Sequence, residues 1–160
     1  RRRRYEVLQW LTFQVANVGP MFGQCGHFMG YAPRKIRYAI DRYRNETLRL
    51  YGVMDRRLAQ VEYLGGDYSI ADMATWPWVH VRWLHHIELA EFPQVARWYA
   101  AVGARPAVQR GVALLAQRMK IGNPDAKARE ALFGGTQLRQ GRTVVSGLRK
   151  AAGRRPGRRR

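Results

Sequence analysis

From Tyr5 to about Asn17, apolar residues fall at Val7, Leu8, Leu11, Phe13 and Val15, with Trp10 beside them and Val18 just beyond, a broad stripe at helical spacing. Gly19-Pro20 predicts an end or a kink, because Pro20 cannot donate to the preceding turn, and Met21, Phe22, Cys25, Phe28 and Met29 then resume the apolar face. Glycines at 19, 23, 26 and 30 predict a loose second piece that another backbone or a ligand approaches closely. Pro33 is placed as the first residue of the next helix. Its apolar positions Ile36, Ala39, Ile40, Tyr43, Thr47, Leu50, Met54, Leu58 and Val61 recur at steps of three and four. Arg37, Asp41, Arg44, Arg49, Asp55 and Arg56 fill the other, solvated face, and Gly52 is its weak point. Unbroken to Tyr63, this helix would be about 45 Å long.

The stretch from Leu64 to Val79, LGGDYSIADMATWPWV, reads as a turn followed by a helix start. Ser69 stands three residues before Asp72, the spacing of a capping box: the Ser69 hydroxyl accepts from the Asp72 N–H, and the Asp72 carboxylate accepts from the Ser69 N–H. Tyr68 and Met73 occupy the two positions of a hydrophobic staple. Met73, Ala74, Trp76, Trp78, Val79 and Val81 make the following helix apolar on nearly every side, which predicts burial all round, with a bend at Pro77. The segment 80–91 has no clear period. Phe92-Pro93 opens a helix with Val95, Trp98, Tyr99 and Val102 on one face, closed at Gly103, and Arg105-Pro106 opens a shorter one through Val108 and Val112. Gly122-Asn123-Pro124 breaks the pattern, and Ala126 to Phe133 is at most a short amphipathic helix. No strand alternation appears, so the expected fold is an all-α bundle of about five to seven helices.

Charge sharpens the domain organisation. The chain of 160 residues carries a net +18, but Arg1–Arg4 hold +4 of it and 134–160 hold nine Lys or Arg and no acid. The remainder, 5–133, is only +5. The expected division is a basic stub at 1–4, a helical domain at 5–120, and a basic Gly/Arg-rich disordered tail at 121–160. Blocks of like charge predict salt-dependent, non-specific polyanion binding by the tails, although no folded nucleic-acid motif is visible. A lone Cys25 excludes an internal disulfide and favours a reducing compartment, the cytoplasm. Glu6, Gln9, Gln14 and Asn17 interrupt what would otherwise pass for a signal peptide, and no run approaches the roughly 20 apolar residues of a membrane span.

Four segments, taken together, resemble the C-terminal helical domain of glutathione transferases, most of all the nu-class or disulfide-bond oxidoreductase branch. They are QWLTFQVANVGPMFGQCGHF (Gln9 to Phe28), YAIDRYRNETLRLYGVMDRRL (Tyr38 to Leu58), LGGDYSIADMATWPWV (Leu64 to Val79) and FPQVARWYAAVGARPAV (Phe92 to Val108). The SxAD cap is shared across the superfamily, whereas GPMFGQ and AIDRYRNET point to the branch. The resemblance implies a glutathione transferase C-terminal-like helical bundle from which the preceding thioredoxin-like domain, the part that activates the glutathione thiol, is absent. It implies that such a chain, a fragment, is inactive alone. It implies glutathione as the substrate of the joined protein, dimer contacts in the full-length protein, and an apolar co-substrate wall. Arg42 matches the family's arginine contact to glutathione, a role suited to a guanidinium that pairs bidentately with a carboxylate. Phe13, Met21, Gln24 and Phe28 lie on the helix that would face the cleft. The alternatives are a non-enzymatic helical interaction module and a polyanion or nucleic-acid binder acting through the tails.

The other reactive side chains have structural readings. Ser69 and Asp72 are explained by the cap. Cys25 reads as a small core residue, with a redox role as the alternative. His27, His80, His85 and His86 show no metal-ligand spacing, and no metal is expected. Trp76, Trp78, Trp83 and Trp98 read as core.

Overall fold

The computed structural model describes residues 2–114, 116 and 124–135, and within them the protein is all-α. The helices α1 (Arg2–Phe13), α2 (Gly19–Gly26), α3 (Arg37–Leu58), α4 (Ile70–His80), α5 (Pro93–Gly103) and α6 (Pro106–Ala113) belong to a first unit, Arg1–Gly122. A second unit, Asn123–Arg160, contains α7 (Ala126–Phe133), started by Asp125, whose carboxylate accepts the Ala128 N–H at 2.8 Å. Of the tail expected to be disordered over 121–160, residues 126–133 form α7, while segments 117–123 and 136–160, with the expected polyanion binding, lie outside the described residues. Arg2–Arg4, expected as a stub apart from the folded part, are the first turn of α1, and Arg3 pairs with Asp67 at 3.2 Å. Among the described residues no helix is long and apolar enough to cross a membrane.

Of the end or kink expected at Gly19-Pro20, the end does not occur. A π turn, Gln14–Val18, joins α1 to α2, and a second, His27–Tyr31, continues α2, so the backbone is helical from Arg2 to Tyr31. The wider turn explains this: the Gly19 N–H donates to Gln14 O, and the ladder is already shifted where Pro20 offers no donor. Two of the glycines lie close against side chains of the protein. A Cβ on Gly19 would stand 3.4 Å from the Trp78 ring, and one on Gly26 would stand 3.5 Å from His85 Nε2, so these positions seat side chains of the protein itself.

Helix α3 begins at Arg37 rather than at Pro33. The N-cap residue is Ile36, extended at φ −106°, ψ 97°, and residues 32–36 before the helix are not helical. Its 22 residues span about 33 Å. At its other end three carbonyls, those of Leu58, Val61 and Glu62, accept from the Arg97 guanidinium of α5 at 3.0–3.2 Å. In return Asp55 of α3 accepts the Gln94 and Val95 N–H groups at the start of α5, at 2.8 and 3.1 Å. Asp55, expected on the solvated face, is therefore an interhelix cap.

Helix α4 carries the expected capping box: both halves form, with Ser69 N–H on Asp72 Oδ2 at 3.0 Å and Ser69 Oγ accepting in the first turn, 3.3 Å from the Ala71 N. Burial is one-sided, which corrects the expectation of a helix buried all round. Ala71, Asp72, Thr75, Trp76 and Val79 are buried, while Met73 is 51% exposed and Pro77 also faces outward. The core gathers Phe22 of α2, stacked on Tyr51 of α3 at 5.0 Å, with Leu50, Met54, Val79, Val95, Trp98 and Val102. Trp98 and Trp76 belong to it as expected, but Trp83, in a 3-10 turn (Arg82–His85), is 53% exposed.

Candidate functional site

Phe13, Met21, Gln24 and Phe28 lie on the α1–α2 path but do not converge on one point. Phe13 packs edge-on against Trp10 at 5.2 Å, and its position is about 22 Å along the helix from that of Phe28. Met21 is half-buried against the core, and Gln24 points to solvent. Phe28 is drawn to α3, stacked on Tyr43 at 5.5 Å with an interplanar angle of 8°. That contact puts Phe28 beside the turn of α3 that bears Arg42. The structure thus places Phe28 near the Arg42 turn of α3 and leaves Phe13 at the far end of the helical path.

Arg42 has a loosely held head group. Its side chain is more than half exposed, and its partner Glu46 stands 4.0 Å away. Arg49 holds the same carboxylate by two bonds, at 2.7 and 2.9 Å, which keeps the Glu46 carboxyl below its usual range. Glu46 is therefore largely committed, and Arg42 retains donors for an incoming carboxylate.

Cys25 supplies no nucleophile to this face. Its side chain is fully buried, and its thiol donates to Met29 Sδ at 3.6 Å. Burial pushes its pKa up, against weaker opposing effects of the Thr47 hydroxyl and the Arg44 charge. The Thr47 contact falls short of a hydrogen bond of normal geometry. Ser69 and Asp72 are likewise consumed by structure. The buried Asp72 carboxylate accepts from Leu64 N–H at 2.9 Å and Trp98 Nε1–H at 2.8 Å, as well as from Ser69. Among the described residues no three His, Cys, Asp or Glu side chains gather to hold a metal ion.

The sequence reading missed a cleft between α4 and α6. Two adjoining hollows of about 510 and 480 Å³ share Trp76, His80, Val108, Val112 and Ala116. Tyr68 and Met73, expected only as a staple, line the larger one with Pro77. Helix α6 has no fully buried residue, and Val108 is its contact with the core. The signal available in the sequence was the excess of apolar residues on α4 over what one core-facing stripe needs.

No family model matches the chain. It is 50% identical over 115 residues to the disulfide-bond oxidoreductase YfcG of Escherichia coli (strain K12), a match covering 71% of this chain and 53% of that protein. It is 42% identical over 118 residues to the disulfide-bond oxidoreductase YghU of the same organism, covering 68% and 41%. Among solved structures it is similar to a glutathione transferase of Burkholderia graminis with two glutathione molecules bound per subunit, with a TM-score of 0.61 and 44% identity over 68% of this chain and 49% of that one. A glutathione transferase of Phanerochaete chrysosporium in complex with oxidised glutathione gives a TM-score of 0.68 and 35% identity, over 73% and 56%. The chain spans about half the length of the curated relatives it matches.

Proposed function

The chain belongs to the glutathione S-transferase family, and on that premise we propose that it acts as the C-terminal helical part of a glutathione-dependent transferase or disulfide reductase. The observation that carries the reading is the Arg42 head group: half-exposed, loosely paired, and next to the Phe28–Tyr43 stack. A planar guanidinium in that setting suits a peptide carboxylate such as that of glutathione. Phe28 borders the same position, and on this reading Gln24, Met21 and Phe13, farther along the helix, serve the co-substrate. The working protein is a cytoplasmic homodimer, with the thiol-activating groups supplied by a thioredoxin-like domain. These 160 residues alone do not turn over, since the buried Cys25 thiol and the capped Ser69 are both committed to structure.

The test joins the chain to a thioredoxin-like domain and measures glutathione affinity. Arg42→Ala is expected to weaken binding by about 1.5–3 kcal/mol, the range for a hydrogen bond to a charged group. Arg110→Ala, a control on α6 away from the α3 face, should stay within about 0.5 kcal/mol of the parent. Equal affinity in Arg42→Ala and the parent removes Arg42 from the site.

A further inference from the structure

The connection from α2 to α3 and the first turns of α3 form an exposed basic patch. Between Tyr31 and Asn45 stand five cations, Arg34, Lys35, Arg37, Arg42 and Arg44, and one acid, Asp41. The first turn of α3 holds no acidic residue and Ile36 gives no side-chain cap, so the positive end of the helix adds to the same field. Internal partners take up little of this charge. Lys35 donates to the Met29 carbonyl, and Arg37 pairs with Asp41 at 3.4 Å with both side chains more than half exposed, an ion pair of small worth in water. Two apolar side chains are set among the cations: Ile36 is 45% exposed and Tyr38 80%.

A hollow of about 320 Å³ lies in the patch, lined by Lys35, Arg37, Ile40 and Asp41. It brings together cationic donors, one anionic acceptor and an aliphatic wall. That combination discriminates between anionic partners. A phosphodiester chain has no backbone N–H to give Asp41 and would bring like charge to it. For a lipid surface, Ile36 and Tyr38 are a small wedge, since surface binding by a helix draws on a whole apolar face. A peptide supplies both kinds of group: a backbone N–H for Asp41, and acidic side chains for Lys35 and Arg37. From the cations, the acceptor among them and the exposed Ile36 and Tyr38, we infer that this patch docks an extended acidic peptide segment of a partner protein. Its carboxylates meet Lys35 and Arg37, a backbone N–H meets Asp41, and an apolar side chain lies on Tyr38. Charge complementarity governs the encounter and the register, and Tyr38 and the hollow supply the contact. The patch belongs to the folded helices and is distinct in sequence from the tail cations of 134–160.

A short acetylated peptide of alternating glutamate and leucine tests the assignment. It is titrated into the full chain and followed by calorimetry and by the amide resonances in nuclear magnetic resonance. The parent should bind it saturably, with shifts concentrated at 34–41. Lys35→Glu combined with Arg37→Glu should weaken binding by roughly tenfold or more, and Tyr38→Ala by roughly threefold, with thermal stability retained because all three side chains are exposed. Arg154→Glu combined with Arg155→Glu, an equal change of charge in the tail, should alter the affinity by less than about twofold. Absence of saturable binding, shifts concentrated outside 34–41, an equal loss in the tail variant, or tighter uptake of single-stranded DNA or of phosphatidylserine vesicles by the same residues would each overturn the assignment. Glutathione enters none of these measurements, so failure here and failure of the proposed function are told apart.

Discussion

The indole N–H of Trp98 donates to Asp72 Oδ1 at 2.8 Å, so the acid that caps α4 also holds the largest buried side chain of α5. The same oxygen accepts the Leu64 N–H, and Oδ2 accepts from Ser69. One buried carboxylate therefore fixes the entering turn, the start of α4 and its packing on α5. Such a group is stable when buried only because each lone pair meets a donor.

Removing that acceptor should cost more than an ordinary cap. Asp72→Ala strands the Trp98, Leu64 and Ser69 donors together and should destabilise the fold by about 3–5 kcal/mol, against about 1 kcal/mol for loss of an exposed cap. Asp72→Asn keeps one acceptor but turns an NH₂ toward donors, and should lie between the parent and Asp72→Ala. Chemical denaturation of the three proteins checks the order, and a loss near 1 kcal/mol for Asp72→Ala would contradict it.

Reciprocal capping between α3 and α5 gives a second expectation. Asp55→Ala should cost about 1–2 kcal/mol, and Arg97→Ala somewhat less because its head group is exposed. The two losses should couple in a double-mutant cycle, since each side chain holds the helix end that positions the other. Strict additivity of the two losses would show that the ends are fixed independently.

These two features show what was legible in the sequence. The Ser69-Asp72 box was readable because its partners are three residues apart and its chemistry is local. The Trp98 bond to the same Asp72, 26 residues away, was not, and neither was Asp55 to Gln94 and Val95. On α3, period alone put Asp55 among the solvated charges, because periodicity assigns a face but not what packs on it. Gly19-Pro20 misled in the opposite sense: the local rule for a helix break is sound, but a π turn satisfies it without breaking the helix. The all-α fold was legible throughout. Of the expected site residues, Phe28 and the Arg42 turn of α3 lie near one another through the Phe28–Tyr43 stack, while the α4–α6 cleft depends on how α6 packs, which periodicity does not give.

His85 predicts a pH dependence of stability. It is buried against the edge of the Phe22 ring, with Nδ1 lacking a partner, and burial lowers its pKa from 6.5 to about 4. The unfolded chain binds this proton more readily than the folded one between those values. The neutral side chain thus leaves stability at its full value above pH 6.5, and stability falls as pH drops from 6.5 towards 4, by about 3 kcal/mol in all from this group. His80, also lowered by burial and by Arg82, acts in the same direction. Denaturation from pH 4 to 7 should show the decline, and His85→Phe should flatten most of it. An unchanged slope in that variant would assign the dependence elsewhere.

The central claim concerns division of labour: these helices supply binding surface, and the thiol chemistry comes from a thioredoxin-like domain. Its most direct test is glutathione-dependent disulfide reduction, assayed for the chain alone and for the chain joined to such a domain. The expected result is no turnover above background for the chain alone and measurable turnover for the joined protein, diminished by Arg42→Ala. Turnover by the bare chain, with Cys25 and Ser69 held as they are here, would contradict the account.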